Sequence, residues 1–391
     1  MDRPLNIAHC VESYAPSIGG MAEVVKQLSE RMARMGHRVT VYTSHHADRD
    51  RSEINGVTVR AFRAGGNAVK GLQGDVAGYK EALGEAQYDV VTFFAAQQWA
   101  TDAVLPMLGN ITAKKIFVPT GFSALHDPAW AAYYRQMPTW LKAMDMNVFH
   151  SENYQDVRFA ATHGVEQRML IPNGASEEEF LKPPTDIRRE LGLATSERSI
   201  VHIGSYTGIK GHKEAIRMYL TARTTDTVLL LVGNGNNALE RIFQHHWRYL
   251  LDRWKARRRN KRILFLELDR ERTLSVLRRA DLFLFPSNLE CSPIVLFESM
   301  AAGVPFLAST AGNAQEIAAW SGGGWTIPPR RTEPPMVFPD IARGAQRLES
   351  LLQDPTALKE AGAAGHRAWK ERFTWGHIAR QYEALYQQLV R

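Results

Sequence analysis

Two carboxylates that could bind a ligand or take part in catalysis, Glu290 and Glu298, lie eight residues apart in the sequence. Glu290 follows a predicted strand that ends at Phe285, and it precedes a predicted helix. Ser292 suits the N-cap of that helix and Pro293 suits its first position. The helix would begin at the carboxyl edge of a sheet, where α/β proteins bind ligands. The sequence therefore predicts that Glu290 lies in a binding site.

Glu298 falls on the same predicted helix, among apolar residues: Ile294, Val295, Leu296, Phe297 and Met300. A carboxylate buried on such a helix needs a partner that offsets its loss of hydration. The alternative, an exposed helix carboxylate, stays open from the residues alone.

Two glycine-containing loops have the composition of anion sites. Gly204 to Gly211 follows a predicted strand and contains Lys210, although it lacks the Walker pattern. Gly19-Gly20 lies between a strand and a helix, where free N–H groups and the helix dipole favour an anion. The alternatives are a lysine on a solvated helix start and a plain tight turn.

Short apolar strands alternate with amphipathic helices along the chain, which is typical of parallel sheets covered by helices on both faces. Helices are predicted over residues 21–35 and about 375–390. The predicted strands are 5–11, 38–43, 57–59, 89–94, 115–118, 146–150 and 169–171, followed by 199–203, 227–232, 263–266, 282–285 and 305–308.

The 391 residues are too many for one ordinary core, and they predict two domains. Pro172-Asn173-Gly174 is a strong turn signal, followed by a polar stretch. We place the boundary there, with a first domain over 1–172 and a second over 173–374.

Cysteine usage and hydropathy favour a cytoplasmic protein. Cys10 and Cys291 are the two cysteines, and they form neither a disulfide framework nor a zinc motif. The N-terminus lacks a signal-peptide pattern. The apolar runs fall short of the roughly 18 residues that cross a bilayer. We expect no metal.

The net charge of +7 is local, because residues 241–262 contain nine Lys or Arg and one acid, Asp252. Apolar residues at helical spacing predict an amphipathic helix, Arg241 to Arg262, that ends in an arginine cluster. One interpretation is a helix packed on the second domain with a solvated cationic face. Others are attachment to an anionic membrane surface or a polyanionic acceptor. Nucleic acid is not expected, since no base-reading module is present.

The ordered set of motifs resembles glycosyltransferase family 4, the retaining enzymes of the GT-B fold, over nearly the whole chain. Glu290-x7-Glu298 followed by Ser-Met-Ala-Ala-Gly-Val-Pro is similar to the donor signature of that family. The other matching segments are Gly19-Gly20, 36–41, 171–174 with Phe180, Gly204 with Lys210-Gly211, 280–287, 373–375 and 385–386.

The resemblance implies two Rossmann-like domains facing each other, with a C-terminal helix, about 375–391, that crosses back to the first domain. The first domain would take the acceptor and the second the nucleotide sugar. Glu290 would contact the transferred sugar, Glu298 the ribose hydroxyls, and Lys210 the diphosphate. Further anion or sugar contacts would come from backbone amides near these positions: Gly19, Gly20, Gly204, Ser205, Ser292, Pro293 and Ile294. The family works without a bound metal or cofactor.

The sequence departs from the family pattern in the second domain. Ser205 stands where the family usually has arginine, and Arg279, His212 or Lys213 are candidates to replace that charge. Pro293 falls in the usual glycine-rich tripeptide and has no N–H to donate.

A further departure is in the first domain, where Thr120 stands in place of a histidine that the family often has. His126 follows nearby. It is a candidate for the acceptor side, and a surface-loop histidine is the alternative.

These features predict a metal-independent, retaining glycosyltransferase, peripheral on the inner face of the cytoplasmic membrane if the basic helix binds lipid. The expected partners are a nucleotide-sugar donor and a glycan or lipid-linked acceptor of a bacterial-type surface polysaccharide or glycolipid. A catalytically silent GT-B binding subunit and a nucleotide-sugar 2-epimerase are the alternatives. Neither the base and sugar of the donor nor the acceptor has a side-chain signature.

Overall fold

A computed structural model describes residues 3–234, 240–241, 243, 254 and 256–391. The chain divides into two compact units. The first extends to Asn173 and includes Trp375–Arg391, and the second is Gly174–Thr374.

The first unit is built on a mostly parallel sheet with the strand order β10-β9-β8-β7-β1-β2-β4-β3, in which only the β3–β4 pair is antiparallel within the described residues. A small hairpin, β5–β6, follows β4. The strands are β1 Asn6–Cys10, β2 Arg38–Ser44, β3 Glu53–Ile54, β4 Val57–Phe62, β5 Ala64–Asn67, β6 Gly71–Gly74, β7 Val90–Phe94, β8 Lys114–Val118, β9 Met146–Phe149 and β10 Arg168–Leu170.

Helices cover this sheet and share its apolar core. The helices are α1 Gly20–Arg34, α2 Val76–Glu85, α3 Trp99–Asp102, α4 Ala131–Ala143, α5 Gln155–Thr162 and the C-terminal α14 Trp375–Val390. The last helix is tied to the sheet by the Tyr386 hydroxyl, which bonds to His9 Nε2 at 3.1 Å and to Thr92 Oγ1 at 2.8 Å. All three side chains are buried.

The second unit has a parallel sheet with the order β13-β12-β11-β14-β15-β16 and an antiparallel hairpin, β17–β18. Its strands are β11 Arg198–Ile203, β12 Thr227–Val232, β13 Lys261–Leu266, β14 Leu282–Phe285, β15 Phe306–Ser309, β16 Gly324–Ile327, β17 Pro329–Glu333 and β18 Met336–Pro339. Its helices are α6 Glu177–Leu181, α7 Ile187–Glu190, α8 His212–Thr221, α9 Arg270–Arg278, α10 Ile294–Ala301, α11 Ala314–Ser321, α12 Ile341–Gln353 and α13 Pro355–Ala368.

Each sheet reverses its winding once, beside its first strand. In the first unit the chain runs outward through β2 and β4, and then returns to begin again at β7. In the second it runs through β12 and β13, and then returns to begin again at β14. Ligands of open α/β sheets bind at such points, because the loops after neighbouring strands diverge there.

The predicted strands are present within one to three residues of their expected ends. The patterns did not predict β3, β16 or either hairpin, β5–β6 and β17–β18, since these strands are short and are exposed or only partly buried. Alternation of apolar and polar residues is too brief in such strands to be distinguished from a loop.

Candidate functional site

Two loops leave the second sheet on either side of its reversal point. The glycine loop, Gly204–Gly211, connects β11 to α8, and the glutamate loop, Pro286–Pro293, connects β14 to α10. Because β11 and β14 pair in parallel, both loops lie at the same carboxyl edge. The fold therefore brings together two segments about eighty residues apart in sequence.

The two loops are in direct contact. The Asn288 amide donates to the Ile209 carbonyl at 2.8 Å, and the Ser287 hydroxyl donates to the same oxygen at 3.2 Å. Gly211 has a φ of +81°, and a Cβ there would lie 2.2 Å from the Pro286 carbonyl oxygen. This close approach requires glycine at position 211.

Lys210 and Glu290, the two predicted catalytic residues, form an ion pair across this contact. Lys210 Nζ lies 2.7 Å from Glu290 Oε1, and the Ser287 hydroxyl donates to the same oxygen at 2.7 Å. The Glu290 side chain is 9% exposed and that of Lys210 is 29% exposed. An anionic ligand at this edge would compete with Glu290 for the ammonium group.

Gly204 begins the glycine loop in a crowded position. Its amide donates to the Val232 carbonyl at 3.0 Å, and a Cβ there would lie 3.2 Å from Lys210 Cβ. Ser205, which follows, is half-buried in the loop. The backbone of this loop is therefore held close to Lys210.

His212 does not replace the positive charge that is missing at Ser205. Its ring is buried 4.4 Å from the ring of Tyr206 and 4.4 Å from that of His202. Burial lowers the pKa of His212 to about 4, so the ring is neutral at pH 7. The ring of His212 packs against Tyr206 of the glycine loop.

Arg279 does not replace that charge either. Its carbonyl accepts a hydrogen bond from the Ser199 hydroxyl at 3.1 Å. Ser199 lies near the start of β11, at the opposite edge of the sheet from the glycine loop. Lys213 is exposed in the first turn of α8 and remains a candidate.

Glu298 is buried on α10, and its partner is Arg270 at the start of α9. Arg270 Nη2 lies 2.5 Å from Glu298 Oε1. The same guanidinium bonds to both oxygens of Glu179, at 2.9 and 2.7 Å. The sequence indicated that Glu298 needs a partner but did not identify it. Arg270 follows β13 at the carboxyl edge of the sheet, and this position in the sequence could have identified it as the partner of Glu298.

The helix that contains Glu298 begins one residue later than predicted. Pro293 is the N-cap and Ile294 is the first helical residue, so Ser292 is not the cap. Pro293 is extended, with φ −71° and ψ 114°, which suits a residue outside the helix. The Ser292 hydroxyl instead accepts from Asn313 Nδ2 at 3.2 Å.

The loop before α11 closes on the glutamate loop from the other side. The backbone N–H of Asn313 donates to the Cys291 carbonyl at 2.8 Å. Gly312 has a φ of +63°, and a Cβ there would lie 2.4 Å from the Cys291 oxygen. The glutamate loop is thus held between two segments, each of which approaches through a glycine.

Gly19 is the N-cap of α1 and Gly20 is its first residue, beside the reversal point of the first sheet. Both are exposed. Gly19 is extended, with a φ of 167°, and a Cβ there would meet nothing within 4 Å. No contact within the described protein requires glycine at position 19, and the space beside it is open.

His126 is exposed on the loop after β8. Thr120 and Phe122, earlier in the same loop, have φ values of 59° and 50°, which residues other than glycine rarely adopt. Between them, the Gly121 amide donates to buried Asp156 at 2.8 Å. Residues other than glycine in this left-handed conformation are strained, and such residues are concentrated at binding sites.

A second strained loop at this edge, after β7, was not found from the sequence. Gln97 has a φ of 66°, and its amide donates to Asp102 Oδ1 at 3.2 Å. The buried Asp102 also accepts from the Tyr133 hydroxyl at 2.7 Å. Gln97 Oε1 accepts from the Ser123 hydroxyl at 3.0 Å and thereby joins the two loops.

The predicted basic helix lies largely outside the described residues, which omit 242, 244–253 and 255. Two of its cations were assigned wrongly, since Lys261 and Arg262 belong to β13. Lys261 is buried, and Arg262 pairs with Glu197 at 2.5 Å. Arg258 stacks on the half-exposed Trp254, with its guanidinium 4.3 Å from the ring centroid.

The part of the chain that the structure describes contains neither a candidate membrane span nor a candidate metal cluster. In that part of the chain no helix is long and apolar enough to cross a membrane. In the same residues, no three His, Cys, Asp or Glu side chains are grouped as a metal site requires.

Two family models match consecutive parts of the sequence. The model described as "Glycosyltransferase Family 4" matches residues 18–178, and "Glycosyl transferases group 1" matches residues 184–365. The chain belongs to glycosyltransferase family 4. Its two Rossmann-like units are those of the GT-B fold.

Curated relatives of this glycosyltransferase are distant. An uncharacterised glycosyltransferase of Methanocaldococcus jannaschii is 24% identical over 408 aligned positions, which cover 98% of both chains. N-acetyl-alpha-D-glucosaminyl L-malate synthase of Bacillus anthracis is 25% identical over 213 residues. That match covers 54% of this chain and spans only 51% of the enzyme.

Solved structures share the fold of this glycosyltransferase over its whole length. Sucrose-phosphate synthase from Thermosynechococcus elongatus superposes with a TM-score of 0.78 at 20% identity, covering 98% of this chain and 99% of that one. HepE of Anabaena in complex with UDP has a TM-score of 0.75 at 17% identity, covering 98% and 100%.

Proposed function

We propose that this glycosyltransferase transfers a sugar from a nucleoside diphosphate to a glycan or lipid-linked acceptor, with retention of anomeric configuration and without a metal. The observation that carries the proposal is the Lys210–Glu290 pair. It places a cation and a carboxylate side by side at the reversal point of the second sheet. Solved relatives with UDP or UDP-glucose bound support a nucleotide-sugar donor.

The chemistry proposed for this edge is electrostatic. As the bond to the sugar breaks, negative charge grows on the departing diphosphate, and preorganised cations and N–H groups stabilise it. Lys210 supplies the cation, and the backbone amides at Ser205, Ser292 and Ile294 supply donors. Gly204, whose amide is bonded to the Val232 carbonyl, lets the loop backbone lie close to the ligand. Pro293 contributes its fixed backbone but no donor.

The two proposed carboxylate roles differ. Glu290 contacts the transferred sugar, since it is the carboxylate next to Lys210. Glu298 contacts the ribose, because its helix begins directly after the glutamate loop. Glu290 exchanges its present bond to Lys210 for sugar hydroxyls when the diphosphate takes over the lysine.

In this proposal residues 173–374 bind the donor, and residues 1–172 with 375–391 bind the acceptor. The acceptor side would include His126, on the loop after β8 at the carboxyl edge of the first sheet. The strained loops there support this placement. The backbone amides of Gly19 and Gly20 are proposed instead for anion or sugar contacts to the donor, as the family resemblance implies. The acceptor would belong to bacterial-type surface polysaccharide or glycolipid synthesis.

Attachment to an anionic membrane surface through Arg241–Arg262 is part of the proposal for a lipid-linked acceptor. The described residues that support it are exposed Arg257, Arg258 and Trp254. Co-sedimentation with anionic and neutral vesicles at low and high salt tests it. Salt-independent binding, or no binding, would remove the membrane from the proposal.

The function itself is tested by incubating the protein with UDP-, GDP-, ADP- and dTDP-linked sugars, with and without extracts that contain acceptor glycolipids. We expect release of one nucleoside diphosphate that increases with acceptor, and a product whose NMR coupling shows the anomeric configuration of the donor. An inverted product would rule out retention. A changed sugar without acceptor would indicate an epimerase, and binding without turnover would indicate a silent subunit.

A further inference from the structure

Arg270 occupies a position that helix electrostatics alone do not favour. It is the first residue of α9, after the N-cap Asp269, where the positive end of the helix dipole opposes a cation. Two carboxylates offset this cost, Glu298 on α10 and Glu179 on α6. Arg270 is therefore stabilised at this position by its ion pairs with the two carboxylates and not by the helix dipole.

The pairing with Glu298 is the closer of the two and the less hydrated. Arg270 Nη2 lies 2.5 Å from Glu298 Oε1, and the Glu298 side chain is 4% exposed. Partial burial opposes the charge on Arg270, but the attraction of Glu298 and the hydrogen bonds to Glu179 outweigh it and raise the pKa of Arg270 well above its usual value. The guanidinium is thus a permanent cation beside a buried carboxylate.

Glu179 fixes the direction of the guanidinium. It accepts from Nε and Nη2 in a bidentate pair, while Nη2 also reaches Glu298. A planar guanidinium can satisfy two carboxylates at once, whereas a lysine ammonium is a point charge without a fixed orientation. The hydrogen bond from Arg270 Nη2 to Glu298 Oε1 therefore has a fixed direction.

We propose that Arg270 is the positioning residue that holds the Glu298 carboxylate for the ribose hydroxyls of the bound nucleotide. The proposal rests on the donor site proposed above. A carboxylate has about four acceptor positions, and the bond from Arg270 uses one of them on Oε1. A ribose diol donates its hydrogen bonds to an oriented acceptor, and the guanidinium of Arg270 orients the Glu298 carboxylate.

The experiment compares ribonucleotides with their 2′-deoxy counterparts, because that ratio reports on the ribose contact alone. Binding of UDP and dUDP, GDP and dGDP, and ADP and dADP is measured by calorimetry for the wild type, and the pair with the tightest ribonucleotide is used for the variants. We expect the wild type to prefer the ribonucleotide by about tenfold or more, the scale of one hydrogen bond to a charged group. Arg270→Gln should reduce this preference to about twofold or less.

Two further variants keep the result interpretable. Arg272→Gln is the matched control on the same helix, since Arg272 pairs with Glu190 at the surface, at 2.9 Å. It should retain the full preference. Arg270→Gln combined with Glu298→Gln leaves no buried charge unpaired, so it should fold even if the single variant does not, and it should also lack the preference.

Three outcomes would overturn the proposal: no preference in the wild type, an unchanged preference in a folded Arg270 variant, or an equal loss in the Arg272 control. Failure of the wild type to bind any of the six nucleotides or dTDP would instead refute the proposed function. The two failures are therefore distinguishable.

Discussion

At the scale of single residues, the Lys210–Glu290 ion pair is the contact that the proposed donor would have to break. Both partners are partly shielded from water, and Glu290 also accepts from Ser287. An ion pair at such a site contributes little net stability, because its attraction offsets the loss of hydration. Its consequence is that Lys210 and Glu290 are held in place before a ligand arrives.

Glu290→Gln should separate turnover from nucleotide binding. The amide keeps the shape of the side chain but removes the charge proposed to act at the transferred sugar, so we expect turnover to fall by at least about 100-fold. Binding of free nucleoside diphosphate should be unchanged or tighter, since Lys210 no longer has a competing carboxylate. Steady-state kinetics and calorimetry measure the two quantities.

Glu271→Gln, an exposed carboxylate on α9, is the matched control and should leave both quantities unchanged. Near-normal turnover of a folded Glu290→Gln variant would refute the role of Glu290. Weaker diphosphate binding in that variant would show that Lys210 and Glu290 cooperate rather than compete.

At the scale of elements, the site depends on how closely the glycine loop approaches the glutamate loop. Gly211 and Gly208 both have positive φ, +81° and +83°. They differ in surroundings, because a Cβ at Gly211 would meet the Pro286 carbonyl at 2.2 Å and one at Gly208 would meet nothing within 4 Å. The two positions therefore separate backbone strain from steric overlap.

Gly211→Ala should destabilise the protein more than Gly208→Ala. The left-handed conformation costs either alanine about 1–2 kcal/mol. Overlap with Pro286 adds about 1–3 kcal/mol at position 211 alone. For a unit of this size, that addition corresponds to roughly 2–12 °C in the unfolding midpoint. Differential scanning calorimetry of the two variants measures the difference.

Equal midpoints for the two alanine variants would mean that the loops separate without cost. The contact described here would then not be what sets the geometry of the site.

At the scale of the whole molecule, both units bury histidines that the fold keeps neutral. Burial lowers the pKa of His9 to about 3 in the first unit and that of His212 to about 4 in the second. It also lowers the pKa of His150 and His202. The unfolded chain binds protons at these residues near pH 6.5, where the native state does not. Their contribution to stability is complete above pH 6.5 and decreases as the pH falls below it.

His9→Gln should therefore reduce the acid sensitivity of folding. Between pH 7 and pH 5 a histidine that stays neutral only in the native state lowers the free energy of unfolding by about 2 kcal/mol. The variant lacks that contribution, although loss of the bonds to Ser29 and Tyr386 lowers its stability at every pH. Urea denaturation at pH 7, 6 and 5 compares the slopes.

Other titrating groups are common to the wild type and the variant, so they cancel in the comparison. His126→Gln, at an exposed position, should keep the wild-type slope. Parallel pH profiles for the wild type and His9→Gln would contradict the prediction.

The sequence by itself determined the parallel α/β character, the positions of the buried parallel strands other than β16, and the glutamate and glycine motifs. Each of these depends on residues close together in the chain: the periodicity of Val24, Val25 and Leu28, for example, or the order Gly204, Lys210, Gly211. Local spacing records which face of an element is buried and where a loop can bend. The apolar neighbours of Glu298 on the helix favoured its burial for the same reason, but an exposed carboxylate was not excluded until the structure showed it buried.

Only the tertiary structure decided which side chains meet. Arg270 reaches Glu298 from 28 positions away, and Lys210 reaches Glu290 from 80 positions away. No periodicity records such pairs, since they result from strand order and from the reversal of winding beside β11. The same holds for His212, whose sequence context suggested a cation and whose burial makes it neutral. Charge and partnership depend on the surroundings of a side chain, and those surroundings exist only once the chain has folded.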